Sequence, residues 1–401
     1  MNSEVIAAYL EHEKERKELG IPPLPLNTVQ TAEVCKLLEN PDGQEEFLLD
    51  LFKNRIAPGV DPSAEIKADF LNKILKNEVK CPVIDKKEAI FILGTMIGGY
   101  NVSHLVEALK NKEIASEAAK ALKGITLVYD AFETVLELSR TNDAAKAVLE
   151  SWAKAEWFTS NPELPAEIKI KAYKVDGEIN TDDFSPASEA ATRPDIPLHA
   201  LSMGQSLFPE GNKTIAEWRK QGYSVAFVGD VVGTGSSRKS ATNSVLWHIG
   251  NDIPFVPNKR REGVVLGGAI APIFFNTVED SGGLPIICDV TNINSGDELT
   301  IFTKTGEIKR QNGEIAATFK LKPNTLADEY RAGGRIPLII GRSLTEKTRK
   351  ALGLGDSDVF AKPDQPIHKE NQAYTLAQKM VGKACGKAGV LPGESVEPIM
   401  T

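Results

Sequence analysis

From residue 3 to about residue 158, apolar positions recur every three to four residues, the spacing of amphipathic helices. The runs span one to two dozen residues and are parted by breaks rich in Pro, Gly, Asn and Asp, among them GIPPLPLN, NPDG, APGVDPS and KCPVID. Glu46 to Asn54 puts Phe47, Leu48, Leu51 and Phe52 on one face, and Ile114 to Leu138 reads as a further helical stretch mixing Ala-rich turns with Leu, Val and Phe. Helix pairs stacked as an α-solenoid fit this pattern, with no fixed textual period. TSNPELPAE, near residues 159 to 167, breaks the helical rhythm with two prolines, and IKIKAYKV then alternates as a half-buried strand. A domain boundary is expected there. From Ile168 to about residue 360 the pattern is that of a β-rich α/β unit, with strands predicted at VAFVGD (Val225 to Asp230), VVLGG, PIICDV, ELTIFTK, IAATFKLK and IPLIIG. A proline-bearing linker follows, then one more helix near Ala373 to Ala384.

Composition adds a scale. In 401 residues, 41% hydrophobic and 25% charged side chains provide enough apolar material for two or three packed domains. The first twenty residues are dense in charge and no apolar run reaches membrane-spanning length, so neither a signal peptide nor a span is expected. A net charge of −8 argues against whole-chain affinity for nucleic acid. The densest basic cluster, Lys259, Arg260 and Arg261, reads as a solvated loop. Cys35, Cys81, Cys288 and Cys385 are dispersed, without a C-x-x-C pair, and read as buried or inert thiols of a reducing cytosol. The five histidines, His12, His104, His199, His248 and His368, form no ligand pattern, and no metal bound by this chain alone is expected.

The segment VAFVGDVVGTGSSRKSATNSVLWHIG carries the chemistry: a buried strand runs into a glycine-rich turn and then a helix. Gly233 and Gly235 permit a tight turn with close backbone approach. The amides that follow converge at a helix N-terminus with its partial positive charge. Arg238 adds a planar guanidinium able to grip a carboxylate, and Ser236 and Ser237 add hydroxyls at the same mouth. It is neither of two standard phosphate loops: Arg238 stands where a G-x-G-x-x-G fingerprint needs glycine, and Ser236 where a P-loop needs lysine. A glycine turn ahead of a helix is also a common purely structural device.

GTGSSRKSA resembles the Gly-Ser-Ser-Arg motif of the aconitase superfamily, and GDVVGTGSSRKSATNSVLW resembles its aconitase B branch in particular. EINTDDFSPASEAATRPDIPLHAL, PNKRREGVVLGGAIAPIFFNT, RAGGRIPLIIGRSLT and LAQKMVGKACG are similar to the same branch, as are FLLDLFKNRIAPGVD and LGTMIGGYN in the helical part. The resemblance implies a HEAT-like α-helical domain over 1–160, an α/β swivel domain over 161–362, and in 363–401 a linker and the start of a cluster-binding domain. It implies Ser236 as the catalytic base, Ser237 and Arg238 beside it on substrate carboxylate, Arg193 of ATRPDIP as a second substrate-binding arginine, and Asp182 of NTDDFSP as an active-site aspartate. An aspartate before a Ser-Pro turn is also a common turn former, and Arg193 also reads as a surface ion-pair partner.

The implied activity is that of a hydro-lyase converting citrate to isocitrate through cis-aconitate, with 2-methylisocitrate dehydration beside it, in the cytoplasm. The implied cofactor is a [4Fe-4S] cluster held by three cysteines of later domains, none of which matches a cysteine here. The chain is therefore expected to be the first half of a longer protein, inactive alone. A binding module is the alternative: dimerisation through the helical domain and messenger-RNA binding by the cluster-free protein, both implied by the same resemblance. A stand-alone anion-binding α/β protein is the third reading.

Overall fold

The computed structural model describes residues 3–236, 238–396, 398 and 399. Helices α1 (Glu4–Glu18), α2 (Thr28–Glu39), α3 (Glu45–Asn54), α4 (Pro62–Leu75), α5 (Lys86–Gly94), α6 (Val102–Ala108), α7 (Ala115–Lys123), α8 (Ala131–Leu138), α9 (Asp143–Ala153) and α10 (Glu156–Thr159) form the first region. Polar side chains fix several of their starts. Asn27 and Gln30 close a capping box on α2, and Asp61, Asp85 and Asn142 accept from first-turn amides of α4, α5 and α9. Ile114 to Leu138, expected as one helical stretch, is two helices: the β-branched residues of GITLVYD and the positive φ of 46° at Tyr129 interrupt it. Ile6, Leu38, Leu71, Leu93, Leu122 and Trp152, all fully buried, belong to one apolar core running through these helices.

The second region opens with β1 (Glu167–Asn180), α11 (Thr181–Phe184), a 3-10 turn over Ala187–Thr192, α12 (Ile196–Ala200), α13 (Gly211–Lys220), β2 (Val225–Thr234) and α14 (Lys239–Ile249). A hairpin of β3 (Asn251–Ile253) and β4 (Val256–Arg261) precedes β5 (Val264–Ile270), α15 (Pro272–Asp280), β6 (Leu284–Ile287), β7 (Glu298–Phe302), β8 (Glu307–Arg310) and β9 (Ile315–Thr318). Seven strands make one sheet in the order β6-β5-β2-β1-β7-β8-β9, parallel from β6 to β1 and antiparallel from β1 to β9. The unbroken apolar run VAFV follows from burial on both faces of a central strand: Val225 and Phe227 enter one core, Ala226 and Val228 the other. The molecule is thus a helical region followed by a mixed α/β sheet region.

Two expectations need correction. IPLIIG is not a strand but the start of α17 (Arg335–Ala351), which follows α16 (Leu326–Ala332). Its buried positions, Leu338, Gly341, Leu344, Thr345 and Thr348, fall at helical spacing, while Ile336 and Ile339 are exposed. A short apolar run has no period of its own. The basic run Lys259, Arg260, Arg261 lies on β4 rather than on a solvated loop. There the Arg260 guanidinium lies 4.1 Å from the Trp247 ring centroid and bonds Asp252 at 2.7 Å. The last helix, α18 (Leu376–Ala384), lies where the pattern put it. Among the described residues no helix is long and apolar enough to cross a membrane.

Helix α17 packs back across the expected boundary near residue 160. Leu344 joins the helical core, Trp157 Nε1 donates to Thr345 Oγ1 at 3.0 Å, and the Trp157 ring occupies the space that a side chain at Gly341 would need.

Candidate functional site

Strands β1 and β2 are parallel neighbours with Asn180 opposite Thr234, so the two loops leaving their carboxyl ends lie side by side. This is where open α/β sheets place ligands. After β1, Asn180 and Asp183 close a capping box on α11. At the end of β2 the chain turns through Gly233 (φ 79°) and Gly235 (φ 90°), and a Cβ on Gly233 would stand 2.2 Å from the Phe274 ring. Only glycine meets both demands at position 233. Helix α14 then starts at Lys239, with Arg238 as an N-cap residue whose side chain makes no capping bond. Of its first-turn amides, that of Ala241 donates to the Arg238 carbonyl at 3.1 Å, and Arg238 offers no capping oxygen to those of Lys239 and Ser240.

The structure brings Ser236, Asp182 and Arg238 together at this mouth. Ser236 is exposed on the turn, its carbonyl accepting from Thr181 Oγ1 at 2.9 Å, a bond that ties the two loops together. Asp182 on α11 is the ion-pair partner of Arg238 Nη1. The same nitrogen donates to the Ser185 carbonyl at 3.3 Å, which leaves the Nε–Nη2 edge of the fork without a partner among the described residues. Arg193 follows the 3-10 turn, and its Nε is buried with no hydrogen-bond partner among the described residues. Ser237, expected beside Ser236, lies outside the described residues.

What joins Arg193 to the turn is a set of residues that sequence reasoning missed. His199, 1% exposed, sits between the hydroxyls of Ser185 and Thr192, each 2.8 Å from a ring nitrogen. Ser185 Oγ in turn lies 2.7 Å from Ser240 Oγ in the first turn of α14. Counting protons gives the chain a direction. Thr192 donates its hydroxyl proton to the Glu189 carbonyl at 2.8 Å and so accepts from His199 Nδ1–H. With the ring neutral, His199 Nε2 accepts from Ser185, and Ser185 from Ser240. A neutral ring is in keeping with burial and the nearby Arg193 charge, which hold its pKa below the ordinary histidine value. No local signal marks His199 in IPLHAL; only the fold brings positions 185, 192, 199 and 240 together.

The Arg238 guanidinium, held by Asp182, stands with a helix N-terminus at this mouth, chemistry suited to an anion. The thiols do not make a comparable centre. Burial pushes the thiols of Cys35 and Cys288 up to about 12, which leaves them inert, and all four cysteines are free. Among the described residues no three His, Cys, Asp or Glu side chains are grouped to hold a metal, so these donors do not fit an iron-sulfur cluster.

The class defined by these features is an α/β anion-binding site, built on a serine-bearing glycine turn and preceded by a helical region. Comparison with known proteins narrows it. The family model described as Aconitate hydratase 2 N-terminus matches residues 170–374, and that described as Aconitate B N-terminal domain matches residues 8–158, so the chain belongs to the aconitate hydratase B family. It is 58% identical over 400 residues to aconitate hydratase B of Synechocystis sp., which covers 99% of this chain and 46% of the relative. The corresponding protein of Escherichia coli K12 is 51% identical over 410 residues, 99% of this chain and 47% of that one. The chain thus spans about half the length of these relatives. A solved 3-isopropylmalate dehydratase (leuD) from Methanocaldococcus jannaschii overlaps 46% of this chain at 21% identity and a TM-score of 0.35, too little likeness to bear on the site.

Proposed function

We propose that the full-length protein is a hydro-lyase interconverting citrate and isocitrate through cis-aconitate, and that this chain supplies the base and one carboxylate-binding side of its active site. The observation that carries the reading is that Arg238 bonds the Ser185 carbonyl while Arg193 directly follows Thr192, the partner of His199, each arginine with guanidinium nitrogen that has no partner among the described residues. Substrate carboxylates would take those nitrogens. Asp182 would keep the Arg238 plane turned toward them rather than act on substrate itself.

As its alkoxide, Ser236 would take the carbon-bound proton, the C–H electron pair forming the double bond of cis-aconitate while the C–O bond breaks and hydroxide leaves, a departure for which the cluster, when bound, would supply Lewis acidity. A serine hydroxyl is a weak base. It can serve here because its alkoxide would lie beside the Arg238 charge and the first-turn amides of α14, fixed dipoles that cost no reorganisation during the reaction. The iron-sulfur cluster of such an enzyme would be held by segments of the longer protein, since the thiols of this chain do not fit it.

The same reading assigns the helical region as HEAT-like over 1–160 and the sheet region as the swivel domain over 161–362, with 363–401 leading toward the cluster-binding part, in a cytoplasmic enzyme. Dimerisation and messenger-RNA binding rest on the resemblance alone, and no feature among the described residues favours them. In the full-length protein, Ser236→Ala is expected to lower kcat by at least ~10²-fold while KM changes much less, as when a proton-transfer group is removed. A kcat near that of the unaltered enzyme removes Ser236 from the role of base.

A further inference from the structure

The segment carrying Arg193 is thinly held. From Ala187 to Thr192 no side chain is buried, and the turn contains a non-helical residue, Glu189. Packing therefore does little to fix the Arg193 backbone, and polar anchors must do so. One is the Thr192–His199 bond described above. The other comes from the opposite end of the sequence. Arg16, near the end of α1, directs both Nη atoms at the two carboxylate oxygens of Asp195, Nη1 to Oδ2 at 2.6 Å and Nη2 to Oδ1 at 2.8 Å. Its Nε donates to the Pro22 carbonyl at 2.9 Å, so the plane of the fork is fixed from its own side as well.

The side chains of Arg16 and Asp195 are 6% and 14% exposed, where solvent screens a charge pair little and two parallel charge-assisted bonds define an orientation. Asp195 is two residues from Arg193 and is the N-cap of α12, its Oδ1 also accepting from the Leu198 amide. On its other side, α12 presents His199 to Ser185. The clamp thus acts on the piece of backbone that must hold one substrate-binding arginine at a set distance from the other.

We propose that Arg16 is a positioning residue for substrate: through Asp195, the helical region sets where the Arg193 guanidinium stands relative to Arg238. Arg16 touches no substrate and acts only through Asp195. The inference rests on the reading of Arg193 as a carboxylate ligand, which gives the helical region a part in substrate affinity and not only in architecture.

The test is steady-state kinetics with isocitrate on the full-length, cluster-loaded enzyme, with melting temperature measured alongside. Arg193→Ala comes first: if it leaves KM unchanged, the parent reading fails and the positioning role falls with it. Given a loss in Arg193→Ala, Arg16→Ala is expected to raise KM at least ~10-fold with kcat changed less than about 3-fold. Arg16→Lys, which keeps the charge but loses the fork, should fall between it and the unaltered enzyme. Adding Arg16→Ala to Arg193→Ala should raise KM by no more than about 2-fold further, because the guanidinium that Arg16 positions is already absent. If Arg16→Ala lowers the melting temperature while KM stays put, or if its KM effect persists undiminished on the Arg193→Ala background, the clamp is merely structural and the proposal is overturned. Should Arg16→Ala fail to fold, Asp195→Asn, which retains an oxygen for the α12 cap, is read in its place: a KM rise of about 3-fold or more supports the role, and an unchanged KM overturns it.

Discussion

In the helical region two buried polar groups stand alone, in contrast to Arg16. Lys67 is fully buried with a single bond, to the Lys53 carbonyl at 3.3 Å, and its ammonium lies 5.3 Å from the Phe52 ring centroid. Asn101 turns its amide onto the Leu93 and Met96 carbonyls of the helix before it and goes no further. In the sheet region buried polar groups are joined: Ser240, Ser185, His199 and Thr192 form one directed chain, with Arg238 attached at Ser185 and the Arg193 charge beside His199. An isolated buried polar group costs stability and coordinates nothing beyond its own turn, whereas a connected set fixes the relative positions of loops that packing leaves loose. The contrast separates polar groups tolerated by a fold from polar groups that place a site.

The sharpest way to break this contrast is at the turn itself. Gly233→Ala puts a methyl 2.2 Å from the Phe274 ring at a φ of 79°, in contact with the core that also holds Phe184. Chemical denaturation should show a loss of roughly 3–5 kcal/mol, the sum of a core overlap and a left-handed alanine. A loss below about 1 kcal/mol would mean that the turn is not locked against the core.

In the helical region the reverse is expected, because removing the isolated charge should help. Burial pushes the Lys67 ammonium down to about 7, from an ordinary value of 10.5. The folded chain therefore binds this proton less readily than the unfolded one, and stability falls as pH drops through that window and stays low below about 7. Lys67→Met should stabilise the protein by roughly 2–4 kcal/mol at pH 6 and by far less near pH 10.5. Equal gains at both pH values would show that the charge carries no penalty.

A smaller effect with the opposite pH sense belongs to the sheet region. Glu279 on α15, 2% exposed, faces Glu329 on α16, 4% exposed, and burial together with the neighbouring carboxylate pushes Glu279 up to about 8. Arg335, 3.8 Å away, offsets only part of this. Here the folded state holds the proton more tightly, so this contribution is complete below about 4.5 and is lost as pH rises toward 8. Glu279→Gln keeps the neutral shape and should exceed the unaltered protein by about 1–3 kcal/mol at pH 8.5, with no gain at pH 4.5. A pH-independent difference between the two proteins would contradict the upward shift of Glu279.

How much of this was legible in the sequence follows the same division. The helical region declared itself through periodicity, and VAFV through continuous burial, because each depends on neighbours in sequence. IPLIIG misled because a run of six residues without polar gaps carries no period, and the Gly333-Gly334 break before it leads into a helix rather than a strand. The glycine turn with Ser236 and Arg238 was legible because its chemistry is contiguous. His199 was not, since it matters only through partners at positions 185 and 192, and the Arg16–Asp195 pair spans 179 residues that no local pattern connects.

The central claim, that Arg238 grips a substrate carboxylate and does not merely close an ion pair with Asp182, is most directly tested by Arg238→Lys in the full-length enzyme, with kcat/KM for isocitrate and melting temperature measured together. Lysine can keep the pair with Asp182 but not the second edge of the fork. Loss of one charge-assisted bond in a desolvated site, worth roughly 1.5 to 3 kcal/mol, should lower kcat/KM about 10- to 150-fold with the melting temperature little changed. An unaltered kcat/KM would contradict the claim and leave the Ser-Ser-Arg turn as architecture.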